Sequence, residues 1–271
     1  MSGILYAVPN APAAAQALAV LRLLARHTAP VPAAAIARDL DLPRSSVYHL
    51  LAVLRREGFV VHLPEERRWG LGVAAFELGS AYSRQAPLVR VARPLLARLV
   101  DATTHNAHLA VLHGRDVLYV IEERAPGRPP LVTDVGVRLP ATLTASGLAM
   151  LAALPPAQVR ALFPSRDAFV QRHGVGPGSL PALRRELADV RRAGFAAEDG
   201  SVTPDFASVA SAVLDHSGHP VAGVAVTFPA AEVDGPARAT IARQVTRVAT
   251  ELSRRIGGRS ATGTGSTATV S

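Results

Sequence analysis

One stretch of the sequence carries polar side chains at a spacing suited to contacts with a nucleic acid. In PRSSVYHLLAVLRREG, apolar residues recur at i, i+3, i+4 and i+7 and form one face of a predicted helix over residues 43–57. This apolar face consists of Val47, Leu50, Leu51 and Leu54. The remaining positions present Arg44, Ser45, Ser46, Tyr48 and His49. Their guanidinium, hydroxyl and imidazole groups have the reach to contact phosphates and base edges.

The elements around this helix predict an arrangement that a DNA major groove accepts. Helical periodicity predicts a helix over residues 13–27 and a second, short helix over residues 31–40. Residues 59–72 predict a small hairpin, in which Arg67 and Arg68 could touch the neighbouring DNA backbone. A short helix, a tight turn and a second helix with a polar outer face favour DNA binding. The alternative is a helical hairpin whose polar face is only solvated.

A second candidate site lies at a predicted helix start in the middle of the chain. Thr144, Ala145, Ser146 and Gly147 precede an apolar helical run. A helix start offers unpaired N–H groups and the positive end of the helix dipole, which suit a carboxylate. We therefore expect the N–H groups of Ser146 and Gly147 to hold a small organic acid. The alternative is ordinary N-capping by Thr144 or Ser146, which binds nothing.

The histidines invite a metal-binding interpretation, but their spacing argues against one. His108 would face away from His105 on a strand, and His113 is expected in a turn. His216 and His219 flank another turn, where exposure to solvent is expected. We predict no metal site and no cofactor.

Two absences in the composition exclude several enzyme classes. The 271 residues include no cysteine and no lysine, so all 29 basic residues are arginine. Thiolate catalysis, Schiff-base chemistry, a phosphate-loop lysine and cysteine-ligated zinc are therefore excluded. No HExxH, GxSxG or GxGxxG motif occurs. An enzyme that hydrolyses or isomerises a small acid through Asp199, Asp205 or His216 is kept as the alternative function, although nothing pairs a nucleophile with a base.

The formal net charge of +8 is weak support for nucleic-acid binding, because the basic excess is spread along the chain. Residues 1–85 hold nine arginines and six acidic residues, and residues 86–271 hold twenty and fifteen. A general preference for arginine over lysine would give the same charge. The chain has no stretch typical of a membrane span or a signal peptide, so we expect a cytoplasmic protein without membrane contact.

Beyond residue 87 the periodicity predicts an α+β domain. Two strand pairs are expected, 106–112 with 116–123 and 206–215 with 220–229. Predicted helices cover residues 88–103, 146–154, 156–163, 179–193 and 235–256. The last helix is followed by a Gly/Ser/Thr-rich tail that is too poor in apolar residues to order itself.

The sequence resembles the IclR family of bacterial transcriptional regulators over residues 12–256. PAAAIARDLDLPRSSVYHLLAVLRREGFV is similar to the winged helix-turn-helix of that family. LPATLTASGLAMLAALPP is similar to its segment entering the effector pocket, and LADVRRAGFAAEDG with VASAVLDHSGHPVAGVAVTFP is similar to its closing strands. The resemblance implies a winged DNA-binding domain, a linker helix and a GAF-like antiparallel-sheet ligand domain, assembled as a homodimer or homotetramer.

The predicted domains follow from the pattern and the resemblance together. They are a disordered N-terminus (1–11), a winged helix-turn-helix domain (12–71), a linker helix (72–86), an effector-binding domain (87–257) and a disordered tail (258–271). Carried over position by position, the ligand-facing residues of the family fall on Glu198, Ser208, Ala225 and Thr227, beside Ala145, Ser146 and Gly147. His49 stands where the family commonly has arginine. The resemblance therefore implies a DNA-binding regulator, a repressor, whose operator affinity responds to a small organic effector, which we expect to be a carboxylate.

Overall fold

A computed structural model describes residues 11–27, 29–85, 87–129, 131, 133–172 and 175–258. The chain forms two compact units, Met1–Ala86 and Pro87–Ser271, and each is described by itself below. The segments predicted to be disordered lie outside the described residues, except for Ala11 and Gly258. No helix in the described part of the chain is long and apolar enough to cross a membrane.

The first unit contains four helices and a three-stranded antiparallel sheet. The helices are α1 (Pro12–Arg26), α2 (Ala33–Asp39), α3 (Arg44–Arg56) and α4 (Val73–Gln85). The strands are β1 (Val31–Pro32), β2 (Val60–Leu63) and β3 (Arg68–Leu71), in the spatial order β1-β3-β2. The pairing of β2 with β3 is the predicted hairpin, whereas β1 was not predicted.

The hydrophobic core of the first unit fixes the orientation of α3. Val47, Leu51 and Leu54 are buried against residues of α1, α2, β2 and β3. The helix ends before Gly58, whose φ of +74° is a left-handed conformation that glycine adopts without strain. The N–H of Phe59 then donates to the carbonyl of Leu54 at 2.8 Å, which closes the helix end and starts β2.

The second unit is built on a six-stranded antiparallel sheet. Its strands are β4 (Asn106–His113), β5 (Asp116–Glu123), β6 (Arg138–Pro140), β7 (Ala196–Asp199), β8 (Phe206–Leu214) and β9 (Pro220–Pro229). Their spatial order is β6-β5-β4-β9-β8-β7. The helices are α5 (Pro87–Thr103), α6 (Ala145–Ala153), α7 (Pro156–Leu162), α8 (Leu180–Ala193) and α9 (Gly235–Arg255). The edge strands β6 and β7 are short and were not predicted.

Helices cover both faces of this sheet. α5 and α9 pack on one face, and α6 packs on the other with α8 behind it. α6 is buried on all sides from Ala145 to Ala152, as expected for an apolar helix between two layers. Small side chains on the strands below it, Ala196, Ala210 and Ala225, belong to the same core and let the helix approach the sheet. The predicted α+β class, with an N-terminal winged helix-turn-helix unit and a C-terminal antiparallel-sheet unit, is confirmed.

Candidate functional site

The polar face of α3 is open to solvent, as predicted. Arg44, Ser45, Tyr48 and His49 are exposed, and Ser46 is half-buried. Tyr48 leaves 57% of its surface exposed although its ring is large and apolar, so its burial against another molecule would be favourable. The predicted DNA-contacting side chains of α3 are therefore accessible together on one short helix.

The hairpin holds its two arginines differently. Arg67 occupies the turn between β2 and β3 with a φ of +52° and is exposed. Arg68 starts β3 and donates from Nη1 to the carbonyl oxygen of Pro30 at 3.0 Å. On the same hairpin, the rings of His62 and Trp69 lie 4.4 Å apart and stiffen the sheet. The guanidinium of Arg67 thus has no hydrogen bond to a described residue, whereas that of Arg68 connects the hairpin to Pro30, just before β1.

In the second unit, six of the seven predicted effector-binding residues line one cavity, between the sheet and the start of α6. The cavity has a volume of about 20 Å³, which is room for a single water molecule. Its predicted lining residues are Ala145, Ser146, Glu198, Ser208, Ala225 and Thr227. The consecutive strands β7, β8 and β9, which are neighbours in the sheet, supply four of them, and the start of α6 supplies Ala145 and Ser146. A ligand larger than water requires the lining side chains to move.

Three of these residues form a polar row across adjacent strands. Strand register places Glu198 opposite Ser208 and Ser208 opposite Thr227. Ser208 Oγ donates to Glu198 Oε1 at 2.7 Å, and the hydroxyls of Ser208 and Thr227 lie 3.0 Å apart. The backbone N–H of Ser201 donates to Glu198 Oε2 at 3.1 Å. The carboxylate is thereby fixed at the edge of the cavity.

The start of α6 differs from the prediction at Gly147. The N–H of Gly147 donates to Thr144 Oγ1 at 3.0 Å, so Thr144 is the N-cap and this N–H group is already bonded. Gly147 does not line the cavity; a side chain there would collide with the carbonyl oxygen of Ala141. The N–H of Gly147 is therefore not free in this structure, and a carboxylate site at the N–H groups of Ser146 and Gly147 stays a prediction. The role of Gly147 is to let α6 approach residues 141–143.

Two buried polar atoms on residues that line the cavity lack a hydrogen bond of good geometry among the described residues. They are Ser146 Oγ and His108 Nδ1, and both side chains are about 1% exposed. Burial, and secondarily the charge of Arg124, lowers the pKa of His108 to about 4, so its imidazole is neutral near neutral pH. Unpaired buried polar atoms are costly, which suits residues that bond to a bound molecule.

The pKa shifts of the other cavity residues have the same origin. Burial raises the pKa of Glu198, although its hydrogen bonds from Ser208 and Ser201 oppose the shift. Burial also raises the pKa of Tyr119, and the nearby Glu198 carboxylate raises it further. Near neutral pH the Tyr119 hydroxyl therefore keeps its proton and can donate a hydrogen bond.

Sequence reasoning missed several residues that line this cavity. They are His108, Tyr119, Leu131, Thr133, Val202, Thr203 and Phe206, whereas Thr144, which also lines it, was expected only as an N-cap. His108 was considered only as a metal ligand, yet its ring packs edge-on against Tyr119 with centroids 5.7 Å apart. The alternation of β4 places His108 on the same face as Asn106, and this pattern could have linked both to the neighbouring strand β9.

The residues of the enzyme alternative are not assembled into one site. Asp199 Oδ2 pairs with Arg238 Nη1 at 2.8 Å, and Asp205 is exposed in a turn with a φ of +65°. His216 is exposed in the turn at the other end of β8. In the described ranges, no group of three or more His, Cys, Asp or Glu side chains could hold a metal ion.

Sequence comparison identifies both units. The pattern of the family described as "Bacterial transcriptional regulator IclR C-terminal" matches residues 80–254, and that of the "IclR helix-turn-helix domain" matches residues 13–64. The chain belongs to the IclR family. It is a DNA-binding transcriptional regulator, and the resemblance noted in its sequence is confirmed.

Individual relatives span most of the chain. The HTH-type transcriptional regulator BhcR of Paracoccus denitrificans is 29% identical over 219 residues, covering 80% of this chain and 78% of the relative. The transcriptional repressor IclR of Escherichia coli is 24% identical over 260 residues, covering 93% and 94%. The crystal structure of an IclR homologue from Microbacterium hydrocarbonoxydans, complexed with 4-hydroxybenzoate, is 23% identical with a TM-score of 0.75 and covers 90% of this chain and 98% of its own.

Proposed function

We propose that this regulator reads its operator through the outer face of α3 and holds the flanking backbone with the hairpin. The observation that carries the proposal is the accessible group of Arg44, Ser45, Ser46, Tyr48 and His49 on a helix whose other face is buried. Arg67 and Arg68 would contact phosphates beside the groove, because both are exposed at the turn between β2 and β3.

The test is binding to a DNA site selected from a random library. Changing Ser46 and Tyr48 together to alanine should weaken specific binding by about 1 to 3 kcal/mol if they touch bases. Fluorescence anisotropy with the full chain measures this, and Ser217→Ala, in an exposed turn of the second unit, is the matched control. Unchanged affinity and specificity in the double variant would show that another surface reads the DNA.

We further propose that the protein is a repressor and that a small organic effector binds the cavity of the second unit. The name of the E. coli relative supports the first point, and the 4-hydroxybenzoate complex of the Microbacterium relative supports the second. The cavity supports the second, because Ser146 Oγ and His108 Nδ1 are buried there without a hydrogen bond of good geometry to any described residue. Ligand binding would change operator affinity by favouring one of two arrangements of the protein, typically by about 1 to 3 kcal/mol.

The effector proposal is tested by blocking the cavity. Ser146→Val should fill the space between α6 and the sheet, because Ser146 is buried against a cavity with room for only one water molecule. The variant should bind operator as the wild type does but no longer respond to a compound that releases the wild type. Compounds are screened by calorimetry against the full chain. An unchanged response in the variant would place the effector elsewhere.

We propose a homodimer or homotetramer that acts in the cytoplasm, where the DNA is. One short recognition helix contacts too few base pairs to select a genomic site, whereas a two-fold dimer doubles the contact. The described part of α4 supports this proposal, since Val73, Phe76 and Leu78 leave 64–75% of their surfaces exposed. Phe76→Asp should lower the mass measured by light scattering. A wild-type monomer at micromolar concentration would contradict the proposal.

A further inference from the structure

Two large apolar side chains of α3 lie outside the hydrophobic core of the first unit. Tyr48 leaves 57% of its surface exposed and Val53 leaves 48%. The other large apolar side chains of this helix are buried or half-buried in that core: Val47, Leu50, Leu51 and Leu54. A β-branched residue such as Val53 loses side-chain freedom in a helix, and here burial does not compensate for that loss. Covering Tyr48 and Val53 with another molecule would therefore be favourable.

The charge of α3 indicates which molecule covers them. Arg44, Arg55 and Arg56 are all exposed, and residues 44–56 contain no acidic residue. Glu57 follows the helix and pairs with Arg56 at 2.9 Å, which leaves an excess of positive charge. A second copy of this face would bring like charges together, whereas DNA is a polyanion. Because the unit is also a helix-turn-helix of a DNA-binding family, the partner that fits this face is DNA.

The major groove of DNA offers one apolar group to such side chains. All four base pairs present hydrogen-bonding groups there, and thymine alone adds a methyl group. Tyr48 and Val53 are five positions apart, so the helical rise separates them by about 7.5 Å along the axis of α3. That distance is about two base-pair steps of B-DNA. The two side chains therefore match two thymine methyl groups about two steps apart.

From these features we infer that Tyr48 and Val53 contact thymine methyl groups, so that the operator carries two A·T pairs about two steps apart where α3 enters the groove. This inference rests on the proposed operator contact of α3 and adds the bases that the helix selects. Ser45 and His49, exposed on the same helix, would supply hydrogen bonds to neighbouring groups. The apolar and the polar side chains of α3 thus have separate parts in the selection of the operator.

The test removes the methyl groups from the DNA and leaves the protein unchanged. In an operator selected from a random library, each thymine is replaced in turn by uracil, which lacks the methyl group and still pairs with adenine. Fluorescence anisotropy with the full chain measures the affinity for each duplex. We expect uracil to weaken binding by about threefold to fivefold at two positions about two steps apart, as burial of one methyl group predicts. At the other positions the change should stay below about 1.5-fold.

Substitutions on α3 then assign each methyl group to a side chain. Tyr48→Ser and Val53→Ser should each remove the effect of uracil at one of the two positions, because the apolar contact is gone. Tyr48→Phe keeps the ring and should keep the effect. The matched control is Val170→Ser, at a valine of the second unit that is 50% exposed, and it should preserve both effects. The uracil series with the wild type tests the inference even where a variant folds poorly.

Three results would overturn the inference, and they differ in what they leave standing. If the selected operator lacks two A·T pairs at this spacing, or uracil changes nothing, the inference fails. The proposed operator contact of α3 still stands in that case if the Ser46 and Tyr48 double variant loses specificity. If uracil weakens binding equally in the wild type and in both serine variants, other residues contact the methyl groups. If the double variant also binds as the wild type does, the inference and the proposed contact fail together.

Discussion

The outer face of α3 and the cavity of the second unit are built in opposite ways. Six consecutive residues, 44–49, contain every polar side chain that α3 is proposed to place on DNA. The lining of the cavity comes from residues between 108 and 227, on five strands, a helix start and two connecting segments. The first surface depends on one helix being held in place. The second depends on the register of the whole sheet.

This difference determines how each site responds to substitution. On α3, side chains that touch DNA are separate from those that hold the helix, because Val47, Leu51 and Leu54 are buried on the opposite face. In the cavity, the same side chains line the space and hold it together, as Ser208 does between Glu198 and Thr227. Substitutions on the outer face of α3 should therefore change DNA binding without changing stability. Substitutions in the cavity should change ligand binding and stability together.

The largest expected effect is on the core behind α3. Leu51 is fully buried, so Leu51→Ala should destabilise the first unit by about 2 to 5 kcal/mol and abolish DNA binding through unfolding. Val53 leaves 48% of its surface exposed on the same helix, so Val53→Ala should change stability by less than about 0.5 kcal/mol. Urea denaturation monitored by circular dichroism measures both. Similar losses in the two variants would contradict the orientation of α3.

Acidification should destabilise the second unit through His108. Its pKa falls from 6.5 in the unfolded chain to about 4 in the folded unit. Between these values the unfolded chain binds a proton that the folded unit does not, so stability is full above about pH 6.5 and is lost as the pH falls toward about 4. The loss amounts to at most about 3 kcal/mol.

His108→Gln should flatten this part of the pH profile. Other shifted groups remain in both proteins: burial lowers the pKa of His105, which acts in the same direction, and burial raises those of Glu186 and Glu198, which act in the opposite one. Their contributions cancel in the difference between the two profiles. Urea unfolding at a series of pH values gives that difference. Parallel profiles would show that His108 is not buried in its neutral form.

The sequence predicts those elements whose pattern lies within one short segment of the chain. Helical periodicity predicts α3 and its polar face because both lie within one short segment, and the pairing of β8 with β9 follows from a strand, a turn and a strand. The edge strands β6 and β7 have only three and four residues, too few for a periodic signal. Family resemblance, and not periodicity, brought Glu198, Ser208 and Thr227 together.

The capping of Gly147 shows what a helix start leaves undetermined in the sequence. A helix start leaves N–H groups unpaired, and the sequence does not show whether a cap or a ligand bonds them. Thr144 takes the N–H of Gly147, so the ordinary capping alternative is the one observed. His108 and Tyr119 lie on the predicted pair β4 and β5, but their place beside Ala225 depends on the pairing of β4 with β9 across more than 100 residues of chain, which the sequence does not show.

A moderate effect is expected at Ser208, which both lines the cavity and holds the Glu198 carboxylate in place. Ser208→Ala removes the 2.7 Å hydrogen bond to Glu198 and the contact with Thr227, so the second unit should lose about 1 to 3 kcal/mol of stability. The exposed Ser217→Ala variant should lose less because solvent replaces its partner. Thermal unfolding compares the two. The Ser208 variant should also change ligand affinity, and unchanged stability together with changed affinity would break the proposed link between support and binding.

The smallest expected effect is at Arg67, and it separates two kinds of DNA contact within the first unit. Arg67 is exposed in the hairpin turn, and no hydrogen bond to another described residue holds its guanidinium in place. A cation there would contact a phosphate, which carries no sequence information. Arg67→Ala should therefore weaken binding to all DNA sites alike and reduce the slope of log affinity against log salt by about 1.

Two other variants serve as controls. Arg67→Lys keeps the charge and should restore the slope. The Ser46 and Tyr48 double variant should keep the slope and lose the preference for the operator. Anisotropy titrations over a range of salt concentrations with specific and random duplexes distinguish these results. A loss of specificity in Arg67→Ala with an unchanged slope would mean that the hairpin, and not only α3, reads bases.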